Sequence, residues 1–288
     1  MPTVEVNGVS LYYEEKGSGE PLVLVHGIPT DYRAWGAQMG PFSERYRAVT
    51  VSRRYAVPNV RKGDLLDSTV GNNSADLIGL VEHLGLGPVH LVGHSYGGFI
   101  SALLAADHPG AVRSLVLVEP AISTLLVADA ESRLQMLSLL LRAPSVALAA
   151  RRFQGRFLRP SLAALDRGDL EGAARLNVEG VQDSPGALGR LSEEERKMMV
   201  ANARTVGELR TVFPRFTGGH AALISCRTLV VNGESSPLWL RRIGELTAGS
   251  IPGARRTLVA GSRHFPHMEN PAEFNRKALE FLGEAKRR

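Results

Sequence analysis

Short apolar runs of strand length alternate with amphipathic segments of helix length, and this alternation limits the folds open to the chain more than any other feature. Strand-like runs fall at residues 10–15, 22–25, 48–51, 89–92, 114–118, 228–231 and 256–259. Segments with apolar residues three and four apart fall at 75–84, 98–106, 238–246 and 272–282, between or after those runs. Strand followed by helix, repeated, predicts a largely parallel sheet, because parallel neighbours need a crossover and a helix supplies it. Runs such as Leu115-Val116-Leu117-Val118 carry no polar alternation, which fits strands covered by helices on both faces.

The rhythm stops after Pro120 and resumes near Thr228. The residues between are rich in Leu, Ala, Arg and Glu at helical spacing, with Leu134, Leu137, Leu140 and Leu141 marking one apolar face. Ser192 before Glu193-Glu194-Glu195 has the form of a helix cap followed by an acidic first turn. With 288 residues the chain has room for one core and a large insertion. The expected division is a core of residues 1–122 and 223–288, with a helical lid at 123–222.

No apolar run approaches the ~20 residues that cross a bilayer, and the N-terminus lacks a basic start followed by an apolar stretch, so no membrane association and a cytoplasmic location are expected. Cys226 is the single cysteine; it forms no internal disulfide and is read as structural. The net charge of +5 is scattered, its densest points being Arg53-Arg54, Arg151-Arg152, Arg241-Arg242 and Lys286-Arg287-Arg288. Aromatic residues make up 6% of the chain and do not interleave with these, so the basic residues read as solvated surface and a nucleic-acid partner is not expected.

Three local patterns carry chemistry. Gly93-His94-Ser95-Tyr96-Gly97 lies between a strand ending at Val92 and a helix beginning near Gly98, the context in which a glycine-flanked serine projects from a sharp strand-to-helix turn. Ser95 is the expected nucleophile. His26-Gly27-Ile28-Pro29 follows the strand at 22–25, and the backbone N–H groups of Ile28 and Tyr96 are the expected donors of an oxyanion hole. His26 itself reads as structural. Gly261-Ser262-Arg263-His264-Phe265-Pro266-His267 follows the last predicted strand, and an imidazole there can take the serine proton and return it to the leaving group. His264 is favoured as that base over His267.

These elements resemble the α/β-hydrolase family in its serine hydrolase branch, over roughly residues 3–120 and 228–282. The resemblance implies an eight-stranded, mostly parallel sheet flanked by helices, a helical lid between strands six and seven, and a serine, histidine and acid triad that needs no cofactor. The chain departs from the family where the acid usually stands. Most members carry an aspartate in a turn after strand seven, but that turn here reads Gly233-Glu234-Ser235-Ser236-Pro237, with Ser236 at the usual aspartate position.

Two carboxylates are candidates to replace it. Glu119 ends the apolar run at 115–118, at the carboxyl edge of the sheet where α/β sites assemble, and some relatives carry their acid after strand six. Glu234 lies in the usual turn but two positions early. Glu119 is preferred, with Glu234 as the alternative. A further departure, Ser52-Arg53-Arg54-Tyr55 after strand four, reads as surface charge and loop packing.

The expected activity is hydrolysis of a carboxylic ester or lactone through an acyl-enzyme. Leu residues of the lid with Phe153, Phe157 and Phe213 suggest a small-molecule substrate of apolar character, acted on by a monomer or homodimer. Two alternatives stand beside it: C–C bond hydrolysis or perhydrolysis on the same triad, and a hydrolase-like binding protein or scaffold with little turnover.

Overall fold

The computed structural model describes residues 2–60, 65–129 and 132–284, so the basic tail at 286–288 lies outside the described residues. Eight strands form one sheet: β1 (Thr3–Val6), β2 (Val9–Lys16), β3 (Pro21–Val25), β4 (Arg47–Val51), β5 (Val89–His94), β6 (Val112–Val118), β7 (Arg227–Gly233) and β8 (Arg255–Val259), in the order β1-β2-β4-β3-β5-β6-β7-β8. The first two strands pair antiparallel with each other and β2 pairs antiparallel with β4; every other pairing is parallel. Each run read as a strand from the sequence lies in one of β2 to β8. The additional strand β1 is four residues long with only Val4 and Val6 buried, too short for its alternation to stand out.

Both faces of the sheet are covered, and the side chains of each central strand divide between two cores. Val23 and Val25 of β3, with Leu115 and Leu117 of β6, join the cluster containing Leu77 and Leu80 of α2 (Val70–His83), Phe99 and Ile100 of α3 (Tyr96–Asp107) and Ile243. Leu22, Leu24, Val116 and Val118 face the other way, onto Phe42, Phe274, Phe281 and Leu282. Phe42 belongs to α1 (Gly36–Ser43), one of the helices on that side. This two-sided burial is why the strands read as unbroken apolar runs.

Register sets the position of the loops that matter. Val25 pairs with Val51 and Gly93, His94 with Val118, Val118 with Val231, and Gly233 with Val259, so β3 to β8 end level with one another. The chain order reverses around β3, which has β4 on one side and β5 on the other. The loops leaving β3, β5, β6, β7 and β8 therefore gather along one carboxyl edge at a topological switch point.

Between β6 and β7 lie α4 (Arg133–Arg142), α5 (Pro144–Phe153), α6 (Arg159–Asp166), α7 (Leu170–Gln182), α8 (Glu193–Ala201) and a tight 3-10 segment at Ala203–Arg210, followed by the short α9 (Gly218–Ala221). Ser192 caps α8 as expected, in a reciprocal box with Glu195. Ala173, Val178, Met198 and Met199 form a small core of their own, which Ala34 and Phe265 from the sheet side join. The leucine face of α4 does not pack: Leu134 and Leu141 are 80% and 76% exposed. After β7 come α10 (Leu238–Ser250), then β8, α11 (Pro266–Glu269) and α12 (Pro271–Gly283). No helix among the described residues is long and apolar enough to cross a membrane.

Candidate active site

Ser95 stands at the turn between β5 and α3 with φ 53° and ψ −116°, a conformation that costs a non-glycine residue about 1–3 kcal/mol. Its neighbours hold it there. The Ser95 N–H donates to Val118 O at 2.9 Å, and its carbonyl accepts from Phe99 and Ala121. The flanking glycines are required by contact, since a Cβ on Gly93 would come within 2.5 Å of the Gly97 carbonyl oxygen, and one on Gly97 would clash with the carbonyl oxygens of Val25 and His26. Tyr96 is the first residue of α3, so its N–H has no carbonyl one turn back to bond.

The loop after β3 runs against this turn. A Cβ on Gly27 would lie 2.8 Å from Ser95 Cβ and 2.9 Å from His94 Nδ1. Gly27 therefore lets the loop bring the Gly27–Ile28 peptide beside the serine, where the sequence placed the second amide donor. The Gly27 carbonyl is taken by His26 Nδ1 at 2.8 Å and by the Thr30 hydroxyl at 3.0 Å.

His264 Nε2 lies 3.0 Å from Ser95 Oγ, and His264 Nδ1 lies 3.4 Å from Glu119 Oε2; all three residues are buried. The backbone of His264 is gripped on both sides. Its carbonyl accepts from His94 Nε2 at 2.8 Å, and its N–H donates to Gln182 Oε1, from the last turn of α7, at 3.0 Å. His267 does not reach the serine; it is buried against Trp35 and His94, with ring centroids 4.4 and 4.5 Å away.

The two candidate acids separate cleanly. Glu119 is fully buried at the end of β6 and takes a positive φ of 47°. Its Oε1 accepts from Asn232 Nδ2 at 3.0 Å, Gly233 N at 2.7 Å and Ser236 Oγ at 2.7 Å, which leaves Oε2 turned to the imidazole. Ser236, standing where an aspartate is usual, thus donates to the carboxylate that comes from the neighbouring strand. Glu234 is exposed and accepts from the Gly261 N–H at 3.1 Å, away from His264.

Arg53 and Arg54 are not solvated surface charge, and the reading of 52–55 as such is corrected. Arg54 makes a two-pronged pair with Asp76 of α2, both bonds 2.8 Å. Arg53 is 3% exposed and pairs through Nη1 with the fully buried Glu208 at 2.9 Å, while its Nε donates to His26 O. An adjacent pair of arginines gives no sign of burial in a sequence, because the acids that neutralise them lie 22 and 155 residues further on. Gln182 and Glu208 also escaped notice; each is one polar residue among many in the inserted helices, and only the folded chain shows what it meets.

Burial keeps three histidines around the site neutral. His26, His94 and His267 are all held below the ordinary imidazole range by desolvation first, His26 then by Arg53 and the other two by neighbouring imidazoles; His267 is pushed down to about 3. His26 fits this state, since its Nδ1 donates to Gly27 O and its Nε2 accepts from the Arg53 N–H at 2.9 Å. Of the aromatic residues read as substrate-facing, Phe153 stacks on Trp239 and Phe157 is buried, while half-buried Phe213 lies 6.1 Å from the rings of Tyr96 and Phe99.

Comparison with known proteins agrees with this architecture. The family model described as the alpha/beta hydrolase fold matches residues 20–271. A 2-(acetamidomethylene)succinate hydrolase of Mesorhizobium japonicum is 28% identical over 283 residues, covering 96% of this chain and 92% of that protein. An (E)-2-((N-methylformamido)methylene)succinate hydrolase of Acinetobacter baylyi is 31% identical over 114 residues, a match spanning only 39% of this chain and 42% of that protein. Among solved structures, a carboxylesterase of the thaumarchaeon Nitrososphaera gargenis superposes with a TM-score of 0.72 at 21% identity, covering 99% of each chain, which shows a shared fold. Sheet order, the strand-to-helix serine turn and a family match over nearly the whole chain lead to one conclusion: this chain belongs to the α/β-hydrolase fold family and is a hydrolase.

Proposed function

We propose that the chain is a serine hydrolase that cleaves a carboxylic ester or lactone through an acyl-enzyme. The observation that carries this reading is the buried line Ser95 Oγ, His264 Nε2, His264 Nδ1, Glu119 Oε2, with spacings of 3.0 and 3.4 Å across the ring. Ser95 attacks the carbonyl carbon as His264 Nε2 takes its proton, and Glu119 holds the ring in the tautomer that can accept it and stabilises the imidazolium that forms. The Ile28 and Tyr96 amides bind the oxyanion. The second lies at the N-terminus of α3, where the helix dipole also favours negative charge. Collapse expels the alcohol, which takes the proton from His264; water, activated by the same base, then releases the acid.

Residues 123–222 act as a cap over this edge, with Phe213 offering an apolar wall beside Tyr96. The names of the two succinate hydrolases support hydrolysis as the class of reaction. A non-catalytic binding role is the reading that the missing strand-seven aspartate would favour, and the bonds that Ser236, Asn232 and Gly233 make to Glu119 instead support an acid supplied from β6.

Reaction with a fluorophosphonate tests the proposal. The expected result is one label per chain on Ser95, absent in Ser95→Ala, together with turnover of short nitrophenyl esters or lactones. A folded protein whose serine stays unlabelled overturns it. Turnover confined to diketones or to peracid formation from acetate and peroxide would move the chemistry to C–C hydrolysis or perhydrolysis.

A further inference from the structure

We propose that Arg53, held in place by Glu208 of the cap, is a positioning residue for the oxyanion-binding amides. The proposal rests on the serine-hydrolase reading above and deepens it. Arg53 spans both halves of the expected oxyanion hole. On the β3 side, Nε donates to His26 O at 2.9 Å, Nη2 to Gly27 O at 3.4 Å, and the backbone N–H to His26 Nε2 at 2.9 Å. On the α3 side, the guanidinium lies 4.9 Å from the centre of the Tyr96 ring.

The contact with Gly27 O bears directly on the chemistry. The Gly27 carbonyl and the Ile28 N–H belong to one planar trans peptide, so they point in opposite directions, and fixing the oxygen aims the hydrogen. A cation on that oxygen also polarises the peptide and strengthens the N–H as a donor. On the other donor, the ring of Tyr96 is pinned at its far end, because its hydroxyl donates to Ser68 O at 2.8 Å.

Glu208 closes the ring of contacts from the cap. One carboxylate oxygen takes Arg53 Nη1 at 2.9 Å and the other takes the Ser68 hydroxyl at 2.9 Å. Arg53, Glu208, Ser68 and Tyr96 thus form a closed, buried circuit joining the cap segment Ala203–Arg210 to both amide-bearing loops. Burial holds the Glu208 carboxyl above the ordinary carboxylate range, with Arg53 and the Ser68 hydroxyl acting in the opposite direction. Arg53 in this account never touches the substrate; it acts through two backbone amides.

The test separates positioning from mere stability. Arg53→Met, Arg53→Lys, Glu208→Gln and the double variant R53M/E208L are compared with wild type in kcat and KM on a nitrophenyl ester, in the inhibition constant of a phenylboronic acid that mimics the tetrahedral adduct, and in Tm. Removing one oxyanion donor costs on the order of 10²–10³-fold in kcat, so weakening the aim of one is expected to cost about 10–100-fold. The expected result for R53M is that loss in kcat with KM within about twofold of wild type, matched by an equal weakening of the boronate, with R53K and E208Q losing less.

The double variant replaces the buried ion pair by apolar side chains, which often leaves a protein as stable as before. It therefore answers even where the single variants fold poorly: its kcat is expected to stay low although its Tm recovers. A folded R53M or R53M/E208L with wild-type kcat and boronate binding, or a loss taken up in KM alone, overturns the proposal and leaves the serine-hydrolase reading intact. A wild type that neither labels at Ser95 nor cleaves esters overturns both.

Discussion

Glu119 reaches the imidazole from β6 rather than β7, and its carboxylate is assigned oxygen by oxygen: one saturated with three donors, the other facing Nδ1. In the proposed mechanism this acid holds the tautomer, so Glu119→Gln should lower kcat on a nitrophenyl ester by on the order of 10⁴-fold, while Glu234→Gln stays within about twofold of wild type. The reverse pattern would reassign the acid. Ser236→Ala removes one hydrogen bond to a charged group, worth about 1.5–3 kcal/mol where fully formed, and should lower kcat by about tenfold with KM little changed. Ser95 and His264 were legible in the sequence because each sits in a local pattern whose neighbours are fixed by backbone geometry. Glu119 was legible by its place at the end of an apolar strand. The donors around it were not, since Asn232 and Ser236 acquire meaning only when β6 and β7 lie side by side.

At the scale of elements, strand and helix periods were sufficient to find β2 to β8 and the helices α2, α3, α10 and α12, because burial on both faces and amphipathic spacing are direct consequences of a covered sheet; the short α1 between β3 and β4, with Pro41 inside it, gave no such signal. They were not sufficient for the inserted helices. The leucines of α4 have the right spacing for a packed face, yet a period gives the side a helix presents and not whether a partner lies there; Leu134 and Leu141 face solvent. Gln182 shows what the insertion contributes to the site. It ends α7 with its amide oxygen on the His264 N–H, and the Arg263 guanidinium donates to the Gln182 backbone carbonyl at 3.0 Å. Gln182→Ala should free the His264 backbone and lower kcat by about fivefold, the equivalent of one hydrogen bond of roughly 1 kcal/mol, with a similarly small drop in stability. By contrast, Ser192→Ala breaks the capping box of α8 at an exposed position. It should cost about 1 kcal/mol in urea unfolding and leave kcat unchanged, and steady-state kinetics beside a denaturation curve separates the two cases.

For the whole molecule, the buried histidines make folding stability depend on pH. His26, His94 and His267 are neutral in the folded chain and held below their ordinary range mainly by burial, whereas in the unfolded chain each titrates near 6.5. The unfolded state therefore binds more protons once the pH drops below 6.5. Their contribution is fully present above that value and is lost as pH falls toward the folded-state affinities, about 3 for His267. Each such group can lower stability by up to about 1.4 kcal/mol per pH unit within that window. His267 offers the cleanest way to isolate one of them, since neither ring nitrogen bonds to another described residue and the ring packs against Trp35 and Phe274. A phenyl ring fills nearly the same space and cannot take a proton. His267→Phe should match wild-type stability at pH 8, and its unfolding free energy in urea should fall less steeply between pH 6 and 5, by up to about 1.4 kcal/mol per unit. Parallel curves for the two proteins across that interval would mean that His267 does not hold a proton deficit in the fold.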